Sequence, residues 1–335
     1  MDTITHIVLG ACIGEVFVGK KIGKRALVLG AIAQSVPDID FIASFYLGTT
    51  NNLLAHRGIT HSLLFALLVV PLLAFIADKW RRPHDVSFER WLWFFATEIL
   101  VHLLLDTANA YGTGLLEPFS HLRFSYNTLF VADPLFSIIP GIVAIMLIIN
   151  RTHKKRTVWA IVSIVWCSAY FLVGIVNKLT VEASIKKNAV KENIVYNRHF
   201  TSPTPFNNLL WYAVLENEAG YYIGYRSIFD KDKPMSFQYR YKNKVLLQNV
   251  IDREDVKNLV TFSQDYYTAE QYNDTLIFND LRFGQITGWT DSNARFAFYY
   301  FVNYPKENDL VIQRGRFKNW NSRTLGSLWS RMMSH

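Results

Sequence analysis

The 335-residue chain is short of several features that would make its class obvious. It has only two cysteines, Cys12 and Cys167, each within an apolar stretch. That excludes a disulfide framework and reads as two buried free thiols. Charged residues make up 19% of the chain, below the roughly 25% of an ordinary soluble domain. There is no P-loop, no dinucleotide glycine fingerprint and no Gly-x-Ser-x-Gly nucleophile elbow, so nucleotide-binding and serine-hydrolase readings lapse. No internal repeat or low-complexity tract suggests a solenoid. No basic region precedes the first apolar stretch, so a cleavable signal peptide is not expected. Only one apolar run, 157–176, reaches the roughly 20 residues needed to cross a bilayer unaided.

Apolar residues, by contrast, make up 50% and aromatics 15% of the chain, and the mean hydropathy is positive. The two halves differ. Residues 1–177 alternate apolar segments with short basic clusters, whereas 178–335 are mixed, polar and rich in Tyr, Phe and Trp. Membrane helices are predicted at 4–18, 26–36, 62–77, 91–105, 134–149 and 157–176. The net charge of +8 forms no stripe of the kind that binds nucleic acid, and no nucleic-acid partner is expected. Its basic residues fall between apolar segments, at Lys20 to Arg25, Lys79 to Arg90 and Arg151 to Arg156, as in cytoplasmic loops. The last helix then exits on the opposite side, and the domain after it is expected to be extracytoplasmic.

The fold expected is an α-helical polytopic membrane domain, 1–177, then a helical stalk and turn, 178–205, then a soluble extracytoplasmic α+β domain, 206–335, built mostly of antiparallel sheet. Strands are predicted at 209–215, 221–229, 276–283 and 295–304, and helices at 252–262 and 321–333. The Ser-Pro-Thr-Pro run at Ser202 to Pro205 reads as a turn. The aromatic run Phe298 to Phe301 reads as sheet core or a domain interface. Gly10 and Gly14 give the first helix a small-residue face for close packing.

Four polar clusters fall on the predicted outer side of the apolar half. They are Asp2-Thr-Ile-Thr-His6, Pro37-Asp38-Ile39-Asp40, His56-Arg57-Gly58-Ile59-Thr60-His61-Ser62, and His102-Leu-Leu-Leu-Asp106. Imidazoles and carboxylates together are a ligand set for zinc or a similar divalent ion. Placing them at membrane depth is costly unless a cation offsets their charge. His102 and Asp106, one helical turn apart, share a face and can reach a common ion. Glu98, a turn deeper, is the expected acceptor for the free nitrogen of His102, and Thr60 the expected cap of the helix that follows. An isolated His or Asp at a membrane boundary is ordinarily a hydrogen-bonded interfacial group; the coincidence of four such clusters argues for a shared site. His121 is a further, weaker candidate, and Arg57 and Arg123 are candidate clamps for an anionic group. His84, His153, His199 and His335 read as surface residues.

These motifs, with Tyr111-Gly112 and Pro118-Phe119-Ser120-x-x-Arg123-Phe124, resemble the YdjM or DUF457 family of bacterial membrane-bound metal-dependent hydrolases. That family is in turn distantly similar to zinc-dependent phospholipase C and P1-type nucleases. The resemblance covers mainly the first half and implies phosphoester chemistry. The expectation is therefore a multi-pass inner-membrane hydrolase acting on a lipid or lipid-linked phosphorylated substrate, with one to three divalent ions, zinc in the first instance. His6, Asp38, Asp40, His56, His61, His102 and Asp106 would bind the ions, with Asp38, Asp40 and His61 also serving catalysis and Arg57 and Arg123 holding the substrate. The rival reading is a non-catalytic regulator or assembly protein, in which the C-terminal domain binds a protein partner and the polar clusters brace short helices.

Overall fold

A computed structural model describes residues 1–80, 86–150, 154–231, 233–302 and 320–334. The readings of His84, His153 and His335 as surface residues, and the last two positions of the strand predicted at 295–304, lie outside the described residues. The chain divides into two compact units, Met1–Tyr46 with Ala55–Gly174, and Leu47–Leu54 with Ile175–His335.

The first unit is helical. It contains α1 (Thr3–Ile22), α2 (Arg25–Ser35), α4 (Leu63–Trp80), α5 (Phe88–Thr107), α6 (Pro134–Ile149) and the first part of α7 (Arg156–Lys191), each close to a segment predicted from hydropathy. Three of these, α1, α4 and α7, are long and apolar enough to cross a membrane, and α2 with the 3-10 helix Pro37–Phe45 forms a further pair bent by 59°. Their burial differs. The apolar window of α1 is 61% buried, whereas those of α4 and α7 are only 17% and 22% buried and expose leucine, isoleucine and valine. Helices that show such surface outward suit a hydrocarbon solvent better than water.

The contact between α1 and α2 rests on glycine. A methyl group added at Gly10 would come within 2.5 Å of the Gly30 carbonyl oxygen, and one at Gly14 within 2.2 Å of that of Ala26. The two backbones therefore touch, as the small-residue face predicts. This contact carries His6 on α1 toward the C-terminal end of α2. There Pro37 starts the 3-10 helix, so Asp38 and Asp40 fall at the bend.

The α4 entry differs from the sequence reading. Ser62, not Thr60, caps it, its Oγ accepting from the Phe65 N–H at 3.0 Å. Thr60 lies inside the 3-10 turn Ile59–His61, where its hydroxyl is used by neighbouring side chains. The reversal before that turn occurs at Arg57, whose φ is 59°. A left-handed non-glycine residue costs of order 1 kcal/mol, and here it aims the guanidinium inward.

In the second unit two antiparallel sheets replace the single sheet expected. One has the order β1 (Arg198–Pro203), β2 (Leu210–Glu216), β3 (Gly220–Ser227), β4 (Gln238–Tyr241); the other has β5 (Tyr267–Tyr272), β6 (Thr275–Gln285), β7 (Phe296–Phe301). The run read as a turn at Ser202 belongs to β1 as far as Pro203, opposite Trp211. Proline is tolerated there because β1 is an edge strand. The helices α8 (Glu254–Phe262) and α9 (Ser322–Met332) lie where the sequence places them. The polar continuation of α7 is not solvated all round: Val181, Ile185 and Ala189 pack on Trp211, Ala213 and Leu215 of β2. Residues Thr49–Ala55 form a short helix, α3, and Leu47–Leu54 belong to this unit.

Candidate metal centre

Four side chains from three parts of the first unit converge. Asp38 comes from the bend after α2, His61 from the turn before α4, and His102 and Asp106 from α5; one donor atom from each lies within 4.8 Å of all the others. His61 Nε2 stands 3.1 Å from His102 Nε2, 3.5 Å from Asp38 Oδ1 and 3.3 Å from Asp106 Oδ2. His102 Nε2 is 3.6 Å from each of the same two carboxylate oxygens. A tetrahedral ion with ligands at roughly 2.0–2.1 Å has edges of about 3.3 Å, so the cluster is of a size that could hold a metal ion.

The tautomers fit too. His102 Nδ1 donates to the Gln34 main-chain carbonyl at 2.6 Å, which leaves Nε2 bare toward the cluster. Glu98, the expected partner of that nitrogen, is instead met by the Gln34 side chain, whose amide nitrogen donates to Glu98 Oε2 at 2.8 Å. The carbonyl at the end of α2 reaches the imidazole first. On His61, Nδ1 faces Asp40 Oδ2 at 3.2 Å and Thr60 Oγ1 at 3.1 Å, the carboxylate–histidine arrangement that orients metal-binding imidazoles. Burial alone would lower the pKa of His61, but hydrogen bonds to Asp106, Asp38 and Asp40 outweigh it and push the value up to about 10. The carboxylates that hold this proton are those that would hold a cation.

The other sequence candidates surround this group. Asp40 takes no place among the four donors. It ties the turn together by accepting from the Arg57 main-chain N–H at 2.7 Å and from the Thr60 hydroxyl at 3.3 Å, with His56 Nδ1 at 3.1 Å. The His56 side chain is 41% exposed, unlike those of His61 and His102, which are fully buried. His6 stacks on His102 with ring centroids 3.9 Å apart, and its Nε2 is 3.2 Å from Asp106 Oδ1, the oxygen turned away from the cage. The amino group of Met1 contacts that same oxygen.

Both arginines have internal partners. Arg57 pairs with Asp106 Oδ2 at 2.9 Å, donates to Asn109 Oδ1 at 2.8 Å and to the Met1 carbonyl at 3.3 Å, and lies over the Tyr111 ring. Arg123 donates to the carbonyls of His56 at 2.7 Å and Gly112 at 3.2 Å. His121 stands outside the cluster, 82% exposed and paired with Glu117. Asp2 caps α1, its Oδ1 accepting from the Thr5 N–H at 3.1 Å. Gln34 is the contributor that motif reading missed. It acts through a main-chain carbonyl, which no side-chain pattern announces. The His102-to-α2 contact was detectable only as an unassigned polar residue, Gln34, near the end of an apolar helix.

A helical, apolar half that holds a buried His and Asp cluster, followed in the chain by a sheet domain, marks the chain as a membrane protein with a candidate metal centre. It belongs to the YdjM inner membrane protein family, whose match spans residues 1–181. Among its relatives is the inner membrane protein YbcI of Escherichia coli, 40% identical over 125 residues, which are 36% of this chain and 69% of YbcI. The uncharacterized protein YfhP of Bacillus subtilis is 31% identical over 147 residues, 40% of this chain and 42% of YfhP. No solved structure matches.

Proposed function

We propose that the protein is a membrane-bound, zinc-dependent hydrolase that cleaves a phosphoester of a lipid or similar amphiphile, with Asp38, His61, His102 and Asp106 as the zinc ligands. One observation carries this reading: five of the six separations among the four donors are 3.1 to 3.6 Å and all lie within 4.8 Å, with the histidines and Asp106 fully buried and Asp38 the ligand that reaches the surface, 25% exposed. Substrate then enters on the Asp38 side. When bound, a zinc ion there supplies Lewis-acid chemistry and brings the acidity of coordinated water near neutrality.

The chain's own groups have distinct tasks. Asp40 and Gln34 orient the two imidazoles. Arg57 holds Asp106 in place and limits its negative charge. Hydrolysis would join a water oxygen to phosphorus, break the phosphorus–oxygen ester bond, and release one proton from the water while the leaving alkoxide gains one. His56, half-exposed and fixed by Asp40, is placed to deliver it. The exposed apolar residues Ile39, Phe41 and Ile59 in the same ligand-bearing segments suit an amphiphilic substrate. His6, with the outer oxygen of Asp106, offers the start of a second ion site. Inner-membrane residence with the second unit on the extracytoplasmic side completes the proposal.

The engagement of Arg57 and Arg123 within the protein favours a second reading, in which the polar clusters brace short helices in a non-catalytic membrane protein. Metal analysis of the purified full chain separates the two. The expected result is about one zinc per chain in the wild type, lost in His102→Ala, with His56→Ala folded, zinc-loaded and inactive on phospholipid vesicles. A wild type without stoichiometric divalent metal overturns the enzyme reading.

A further inference from the structure

The segments that carry Asp38 and Asp40 on one side and His56 and His61 on the other are joined by residues 41–55. The base of this loop is closed by Asp40, which binds His56, the Arg57 N–H, Thr60 and His61. Its middle, Leu47–Leu54, folds as part of the second unit. There Asn258 Nδ2, on α8, donates to Asn51 Oδ1 at 2.5 Å and to Thr50 Oγ1 at 3.5 Å. Asn51 Nδ2 in turn donates to Glu254 Oε1 at 3.2 Å. Leu53 packs on the core cluster formed by Leu247, Val256, Leu259 and Tyr267.

A loop's closure costs chain entropy that grows with its free length. Residues 41–45 already lie in the 3-10 helix Pro37–Phe45, so fixing residues 47–54 leaves little freedom to be lost when Asp40 closes the base. From this we infer that Asn51 and Asn258 are positioning residues for the centre formed by Asp38, His61, His102 and Asp106. They set the spacing of the two ligand-bearing segments through the loop that joins them. The inference rests on the metal-binding reading above and adds to it a task for the second unit. It also implies the reverse effect: a cation that orders Asp38 and His61 steadies the loop and with it the packing of α3 on α8, because coupling between two sites is reciprocal.

The test uses the full chain in detergent or nanodiscs. Zinc affinity is measured by competition with a chromophoric chelator for wild type, Asn51→Ala, Asn258→Ala and the control Thr261→Ala, an exposed position on α8. Amide exchange of residues 47–54 and 254–262 is followed with and without zinc. The expected result is that zinc slows exchange in both segments of the wild type. Asn51→Ala and Asn258→Ala bind zinc roughly 3- to 10-fold more weakly, about the coupling of residues sharing a network, and lose the zinc-dependent slowing, while Thr261→Ala behaves as wild type. Zinc binding with unchanged exchange in the wild type, or affinities within twofold in both asparagine variants, overturns the inference and leaves the metal centre standing. A wild type that binds no zinc ends both. The exchange comparison in the wild type needs no variant, so a variant that fails to fold cannot rescue or sink the idea by itself.

Discussion

The carboxylates of the candidate centre are handled differently from those of the second unit and from Glu15 of the first, which is buried and pairs with Arg156 at 2.6 Å. In the second unit each buried carboxylate among the described residues has its own cation: Asp280 pairs with Arg282 at 2.6 Å with both side chains fully buried, Asp230 with Arg331 at 2.8 Å, and Glu216 with Arg198 and Lys242. In the first unit Asp106 has Arg57 and the Met1 amino group, but Asp38 and Asp40, among the described residues, meet imidazoles, a hydroxyl and a main-chain N–H. Self-paired ions are a structural device. Carboxylates that meet imidazoles rather than their own arginine or lysine are the ones to which the proposed function assigns a bound cation.

The contrast can be broken or sharpened at three points. The largest effect is expected at the self-paired end. Asp280→Ala leaves the Arg282 guanidinium buried without its carboxylate and should cost about 3–5 kcal/mol, read from denaturant unfolding followed by the second unit's tryptophans. Asp280→Leu with Arg282→Met should recover most of that loss; equal destabilisation by the single and the double change would show that the pair is not what holds this sheet.

Next is Asp40→Asn. It keeps an oxygen for the turn but weakens the acceptor behind His61, and should lower zinc affinity roughly 10- to 100-fold, as changes to outer partners of ligating imidazoles do. Chelator competition measures it. An unchanged affinity would remove Asp40 from the centre.

The smallest effect concerns pH. Burial tends to raise the pKa of Glu216, but Arg198 and Lys242 outweigh it and hold the value below the ordinary carboxylate range. Its contribution is therefore fully present above the unfolded-state pKa, about 4.5, and is lost as pH falls through the lower folded value. The melting temperature of wild type should fall more between pH 5 and pH 3 than that of Glu216→Gln, by the equivalent of less than about 1 kcal/mol, since the ion pair is partly exposed. Parallel curves would show that the pair is energetically silent.

What the sequence made legible follows from local physics. The helices of the first unit were readable because hydropathy and short basic breaks are local signals, and His61, His102, Asp38 and Asp106 were readable because each sits in a compact polar motif. The edge strands β1, β4 and β5 were not, whereas the edge strand β7 was. In β4 (Gln238–Tyr241) and β5 (Tyr267–Tyr272), polar residues break the alternation, as expected where a strand guards an open side of a sheet. Nor could spacing separate the four cage donors from Asp40, His56 and His6, because that distinction depends on which ring nitrogen or carboxylate oxygen faces the cluster, between groups far apart in the chain. The partners of Arg57 and Arg123 are mostly main-chain carbonyls and a distant carboxylate, for which no motif exists.

The bond from His102 Nδ1 to Gln34 has a genetic consequence. Its acceptor belongs to the peptide unit, so replacing the residue at position 34 changes the amide beside Glu98 and leaves the oxygen that fixes the imidazole proton where it was. That proton's address is written in the path of α2. Only a change that tilts or shortens the helix, such as a bulkier residue at Gly10 or Gly30, can rewrite it.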